Sequence, residues 1–303
     1  LTDSARVRPA VPEDIPGLAA LFQTVFHAPA PPPFWQWKYH SPAVKALAIV
    51  AEEEGRIVGH YGGLLLPYRL GRRQYLALQA TDLMTHPSVR HRVGRHSVLL
   101  NCAGLFFDLA RQAGADFAYG FPGRSSRLLG EKYLDYRPLQ ALEVEALAVE
   151  PGPLRLPAEP FSVLEGESEV LLARHAERQR TGVLRAPAYL RWRYAEHPSV
   201  TYHQARHRSA FLVFRLDGEA WLLDWAWEKE RDLEEALRGV FASLEGLGYQ
   251  GLYAWRVNGD PLPVKSARQK PAGFHLEYKP INSDIQEELA AKGWFTPGDY
   301  DAA

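Results

Sequence analysis

Apolar residues recur at Ile15, Leu18, Leu21, Phe22 and Phe26, a three-and-four spacing that predicts an amphipathic helix opening after Pro12-Glu13-Asp14. Asp14 is the expected N-cap, and Pro16 falls in the first turn, where its missing N–H costs little. A proline-rich loop is expected at 28–34, then strands at 46–51, 56–68 and 73–85, the first two joined through Glu54-Gly55. Val98, Cys102, Leu105, Leu109 and Ala113 return to helical spacing and stop at Gly114, the residue type suited to a left-handed C′ position. Phe117, Tyr119 and Phe121 then alternate with Ala118 and Gly120, predicting a strand with one large and one small face.

Residues 149–161 hold four prolines and read as a linker. Beyond it the pattern repeats. Phe34-Trp35-Gln36-Trp37-Lys38-Tyr39 with Pro42 is echoed by Tyr189-Leu190-Arg191-Trp192-Arg193-Tyr194 with Pro198. Asp82 is echoed by Asp224, and the unit ending LARQAGADFAYGF by one ending LEGLGYQGLYAWR. Elements matching in order imply a duplicated αβ domain, the period being too long for a solenoid. The expected division is 1–148, a linker at 149–161, and 162–303.

Composition narrows the class. A net charge of −1 argues against a general nucleic-acid binder. Cys102 is the only cysteine, so a reducing compartment is expected. The opening LTDSARVRPAVPEDIP lacks a basic-plus-apolar leader pattern, and no apolar run reaches the roughly 18 residues of a membrane span, so the expectation is a soluble cytoplasmic protein with no membrane partner.

Against that neutral balance, HPSVRHRVGRHSVLL (residues 86–100) concentrates three arginines and three histidines around Gly94, just ahead of the third predicted helix. A strand, a basic glycine loop and a helix N-terminus make a ready anion site, although a solvated cationic helix start would look the same. Ser125-Ser126-Arg127-Leu128-Leu129 and Tyr136-Arg137-Pro138-Leu139 follow. The order helix, antiparallel strands, basic loop, helix, strand resembles the GCN5-related N-acetyltransferases (GNAT). Their acetyl-CoA motif, Gln/Arg-x-x-Gly-x-Gly/Ala, lies where this chain reads His91-Arg92-Val93-Gly94-Arg95-His96, with one of the small positions kept. Phe121-Pro122-Gly123 with Ser126, and the closing Trp294-Phe295-Thr296-Pro297-Gly298-Asp299-Tyr300-Asp301, are similar to signatures of a two-domain bacterial subgroup.

The resemblance implies an α/β (α+β) fold of two GNAT-like domains, each a mixed, mostly antiparallel sheet flanked by helices. The second copy is degenerate, since its corresponding AWEKERD lacks glycine and a basic cluster. It implies one acetyl-CoA as co-substrate and no metal. The pantetheine would run between splayed strands along the backbone of Leu83, Met84 and Thr85, with small Ala118 and Gly120 leaving room. The pyrophosphate would meet Arg90, His91, Arg92, Val93, Gly94, Arg95 and His96, with Ser126 nearby. An amine of a small-molecule or peptide acceptor would attack the thioester directly, which needs a base and a thiolate acid. Asp82 is the first candidate base, against a structural carboxylate paired with Arg72 or Arg73. His60, in Gly59-His60-Tyr61-Gly62, is an alternative, and Tyr133 is the candidate acid, out of the family register.

Other chemistries fit less well. Cys102 sits on an apolar helix face, more suited to core than to nucleophile. His203 and His207 would lie about 13 Å apart on a strand, too far for one metal ion. A FemABX-like aminoacyltransferase and a non-catalytic duplicated fold remain as alternative functions. The closing segment has Asp284, Glu287, Glu288, Asp299 and Asp301 against Lys292, yet carries Trp294-Phe295, an aromatic pair expected to dock on one of the domains.

Overall fold

A computed structural model describes residues 5–161, 167–178, 181–255, 262, 264 and 266–300. β1 (Arg6–Pro9) leads through a short turn into α1 (Ile15–Phe26), whose apolar stripe is buried as its spacing requires. Asp14 stands at the N-cap position of α1 as expected, but its side chain makes no capping bond to the first turn. Its carboxylate turns back to accept from Val11 N at 2.9 Å and pairs with Arg8 at 2.6 Å. The proline-rich stretch is likewise shorter than predicted, because Pro32 and Pro33 open α2 (Pro32–Tyr39), positions where their fixed φ and missing N–H are tolerated.

Three long antiparallel strands follow: β2 (Lys45–Glu53), β3 (Arg56–Leu70) and β4 (Arg73–Thr85). They turn at Gly55 and Gly71, both with positive φ. α3 (Val98–Gln112) ends before Gly114 at φ 83° and returns the chain to β5 (Phe117–Gly120), parallel to β4. α4 (Arg124–Tyr133) and β6 (Arg137–Leu147) complete this half.

The segment 149–161 is not a free tether. Leu156 N donates to Gly239 O at 3.0 Å, and a Cβ on Gly239 would come 2.9 Å from the Leu156 side chain, so only glycine admits this approach. β7 (Glu159–Pro160), α5 (Glu167–Arg178), β8 (Thr181–Val183) and α6 (Pro187–Leu190), which runs into a wider turn at Arg191–Ala195, open the second half. β9 (Tyr202–His207), β10 (Ala210–Asp217), β11 (Glu219–Trp227), α7 (Glu230–Gly246), β12 (Leu252–Trp255), β13 (Ser266–Pro280) and α8 (Gln286–Lys292) follow.

The strand order is β1-β2-β3-β4-β5-β13-β6-β12-β11-β10-β9-β7, one sheet running through both halves, with β8 on β3. Each half supplies the strand that closes the other: β13 pairs with β5, β6 with β12, and the two exchanged strands with each other. Alternation along β3 explains how the sheet buries both faces. Tyr61 and Leu65 enter the core beneath α3, whereas Leu64, Leu66 and Tyr68 enter a core that includes Trp37, Trp192 and Phe295. A third core lies under α7.

The aromatic pair near the end of the chain divides between cores. Trp294 packs edge-on to Trp225, and Phe295 lies against Tyr68 and Tyr119, both rings buried. Arg185, Asp224, Thr296 and Asp299 bond one another beneath them. Asp301 lies outside the described residues.

Candidate active site

Strands β4 and β5 pair at only three positions, ending at Gln79 opposite Tyr119. β4 then runs on to Thr85 while β5 stops at Gly120, so the strands part and a cleft opens between them. An inner cavity of about 640 Å³ is lined by Leu83, Gly120, Phe121, Ser126, Tyr136 and Glu277. An outer one of about 500 Å³ is lined by Thr85, Arg90, Gly94, Ser97, Ser126 and Tyr133. Phe26, Leu83 and Ser126 belong to both, which makes them two ends of one passage.

A bulge in β4 shapes the inner end. His60 pairs with Met84 and Gly62 with Thr81, so Asp82 and Leu83 together oppose the single residue Tyr61. Asp82 adopts φ 48°, a left-handed conformation that costs a non-glycine residue about 1–2 kcal/mol. The surroundings hold it there. Lys38 Nζ lies 2.7 Å from its carboxylate, the Tyr39 hydroxyl donates to it at 2.6 Å, and His60 Nδ1 donates to its carbonyl at 2.7 Å.

This arrangement revises two expected roles. Asp82 pairs with Lys38, not with Arg72 or Arg73. Burial works against its charge, but Lys38, His60 and Tyr39 outweigh that and hold the carboxyl below the usual carboxylate range. A carboxylate so stabilised and so engaged is a poor acceptor for a substrate proton. His60 is fully buried, set edge-on to Trp35 and Tyr39, and burial pushes its pKa down. It lies outside the linings of both cavities and acts as a brace for the bulge.

Asp82 lines the inner cavity as well, but the carboxyl there that carries no salt bridge among the described residues is Glu277 on β13, opposite Gly120. It is 2% exposed, and its Oε1 has no hydrogen-bond partner among the described residues. Burial, then the nearby Glu131, raise its pKa to about 7, against the opposing pull of Arg127. Gly130 leaves it space, since a Cβ there would come 3.3 Å from Oε2. Across the cavity the hydroxyls of Tyr61 and Tyr136 meet at 3.3 Å, and burial raises both pKa values, so both stay protonated donors. Sequence reasoning missed Glu277. Its one trace was an acid alternating with apolar Leu276 and Tyr278, and nothing local places that strand beside β5.

The basic loop is only partly aimed inward. Gly94 takes φ 58° and opens a short turn ahead of α3, whose first turn Ser97 caps by accepting from Leu100 N at 3.3 Å. Arg90, Arg92, Val93 and Gly94 line the outer cavity, whereas His91, Arg95 and His96 lie outside its lining. Arg92 is spoken for by a two-pronged contact to Glu53 at 2.7 and 3.0 Å. Arg90 donates through Nε to Thr85 O at 2.7 Å, taking up a backbone acceptor expected for the pantetheine. Met84 is buried in the core, and Ala118 packs under α3 away from the cleft, so of the strand residues expected along the pantetheine Leu83, Thr85 and Gly120 reach it. Tyr133 stands half-exposed at the outer end and Ser126 at the junction. Cys102 is core, its thiol pushed up to about 12 by burial. His203 stacks on Phe214 while His207 pairs with Glu235, so the two serve separate packing roles.

Comparison with known proteins agrees with this geometry. Residues 6–130 match the family model described as the acetyltransferase (GNAT) domain. A probable N-acyltransferase from Enterococcus faecalis superposes with a TM-score of 0.65 at 13% identity, over 94% of this chain and 74% of that one. A GCN5-related N-acetyltransferase from Anabaena variabilis gives 0.63 at 12% identity, over 91% and 73%. The Saccharomyces cerevisiae N-myristoyltransferase with bound myristoyl-CoA gives 0.58 at 10% identity, over 93% and 80%. At these identities the likeness shows the fold, and it spans both halves of the chain. No curated protein matches in sequence.

Proposed function

We propose, from the match of residues 6–130 to the acetyltransferase (GNAT) domain model, that the chain is an N-acyltransferase that moves an acetyl group from acetyl-CoA to an amine of a small-molecule or peptide acceptor. The observation that carries this reading is Glu277, a buried carboxyl with a pKa of about 7 facing the gap between β4 and β5. A base poised near neutrality suits proton removal from an ammonium group.

In this reading the CoA phosphates meet Arg90 and the turn at Gly94, and the pantetheine arm passes Leu83, Thr85 and Ser126 to the inner cavity. The amine nitrogen bonds to the acetyl carbon, the carbon–sulfur bond breaks, and Glu277 takes the ammonium proton. Leu83, freed from the ladder to β3 by the bulge, offers its N–H toward the developing oxyanion. The thiolate leaves toward the outer cavity, where Tyr133 stands, and takes its proton there. Asp82, Lys38 and His60 hold the bulge and so position Leu83. The test is CoA release, followed with a thiol reagent, from acetyl-CoA and longer acyl-CoAs over a panel of amines, with products identified by mass spectrometry. Acetyl transfer that Glu277→Gln abolishes supports the reading. Acyl-CoAs that neither bind nor raise the melting temperature overturn it.

A further inference from the structure

The second half repeats the geometry of the cleft. β11 and β12 pair at Ala220–Leu252 and Trp221–Tyr253 and then part, as β4 and β5 do. A cavity of about 450 Å³ takes walls from both strands, through Trp221 and Trp255, and from β13 through Phe274 and Lys270. Its chemistry differs from that of the first cleft. Arg193, Arg215 and Lys270 line it, and no carboxylate does so among the described residues.

We propose that this second cavity binds a small aromatic carboxylate, and not acyl-CoA. The aromatic walls offer flat faces: Trp255 packs edge-on to Phe274 at 4.9 Å, and Phe274 stacks on Tyr300 at 4.7 Å with 6° between planes. The cations offer the counter-charge. Arg193 is a fixed positive centre, its Nε donating to Gly298 O at 3.3 Å and its Nη2 to Tyr300 O at 3.1 Å. Arg215 differs, because its buried Nε has no hydrogen-bond partner among the described residues, while Lys270 Nζ lies over the Tyr253 ring, 5.9 Å from its centroid. A guanidinium with an unfilled, desolvated N–H, in a cavity that Lys270 also lines, is a receptor for a planar carboxylate.

The segment where the pyrophosphate of an acyl-CoA would lie speaks against that ligand. β11 enters α7 through Glu228-Lys229, and the first turn of α7 carries Glu230 and Asp232, with Asp232 already bonded to Ser209. Along that segment Glu228, Glu230 and Asp232 outnumber Lys229 and Arg231 and no glycine is present, so it offers a pyrophosphate no counterpart to the basic turn at Gly94. The inference stands apart from the acyltransfer reading, and its readout is binding.

The experiment titrates the full chain with phenylacetate, with its neutral counterpart phenylacetamide and with cationic phenethylamine, by calorimetry and by tryptophan fluorescence, to which Trp221 and Trp255 give a direct report. Saturable binding of phenylacetate at one site is expected, about tenfold weaker in Arg215→Gln and in Lys270→Gln, the loss of one charge-assisted contact. Saturating acetyl-CoA should leave that affinity unchanged. Near-ultraviolet circular dichroism confirms that the variants fold. Equal binding of the amide or the amine overturns the proposal, as does affinity unchanged in the Arg215→Gln/Lys270→Gln double variant. Absence of saturable binding, or displacement of phenylacetate by acetyl-CoA, overturns it too.

Discussion

Trp37 and Trp192, 155 residues apart, stack with ring centroids 4.9 Å apart, and each indole N–H donates to the other's backbone carbonyl, at 2.7 and 2.9 Å. The two residues that mark the internal repeat thus meet each other, reciprocally, as a local two-fold axis between duplicated halves would have it. The neighbours follow suit: Tyr39 donates to Asp82, and Tyr194 to Asp224. The contact fastens α2 to the turn after α6. Trp37→Phe or Trp192→Phe leaves a buried carbonyl unpaired, costing about 1–3 kcal/mol each. Because the rings touch, the double variant should lose less than the two singles together, measurable by urea unfolding.

Glu277→Gln should lower turnover about 10²–10⁴-fold with the KM for acyl-CoA unchanged, the range ascribed to a positioned base. In the unaltered protein the rate should rise with pH through about 7, as Glu277 loses its proton, and that limb should vanish in the variant. Stability runs the other way. The folded carboxyl keeps its proton up to about 7, whereas the unfolded one releases it near 4.5. Stability therefore falls as pH rises through that window, and at pH 8 the glutamine variant should gain at most about 3 kcal/mol.

Asp82→Asn should act first on folding. It leaves Lys38, 1% exposed at the side chain, charged and uncompensated, at a cost of about 3–5 kcal/mol. Adding Lys38→Met should restore part of that loss. Asp82 is held below its unfolded pKa, so its contribution is present above roughly pH 4 and is lost as pH falls through the folded value. Turnover lost with unfolding unchanged would return Asp82 to the chemistry.

Arg90→Gln and Arg92→Gln should separate. Arg90 faces the outer cavity with only its Nε engaged by Thr85 O, so its loss should raise the KM for acyl-CoA about tenfold. Arg92 is tied to Glu53, and its loss should change stability by no more than about 1 kcal/mol, with smaller effect on KM. Calorimetry should give one CoA per chain, and two equivalent sites would contradict the asymmetry between the halves.

Deleting residues 293–303 strips Trp294, Phe295 and Thr296 from the cores and leaves Arg185 facing Asp224 without Asp299. Each buried aromatic is worth about 2–3 kcal/mol, so the melting temperature should fall by several degrees or the chain fail to fold. A truncated chain that melts with the full one would show the docking to be energetically empty.

Local rules determined much of this protein in the sequence itself. Strand-like runs set off by turn residues placed β2, β3 and β4, and alternation of large and small residues placed β5, because both signals are local. Periodicity of 3.6 placed α1 and α3, and Gly114 ended α3 because the left-handed turn there suits glycine. The repeated tryptophans marked a duplication, and the basic loop marked the mouth of the cleft. Asp82 stood out as a carboxylate near the end of β4, but its partner did not. Lys38 lies far away in the chain and arrives only when α2 packs against the sheet. Glu277 was invisible for the same reason, amplified. Its strand crosses into the other half to pair with β5, and the raised pKa comes from the burial which that exchange creates. Sequence fixes what each segment can form. Which carboxylate becomes a structural anion and which a neutral-pH base depends on desolvation and partner charges, and only the assembled sheet sets those.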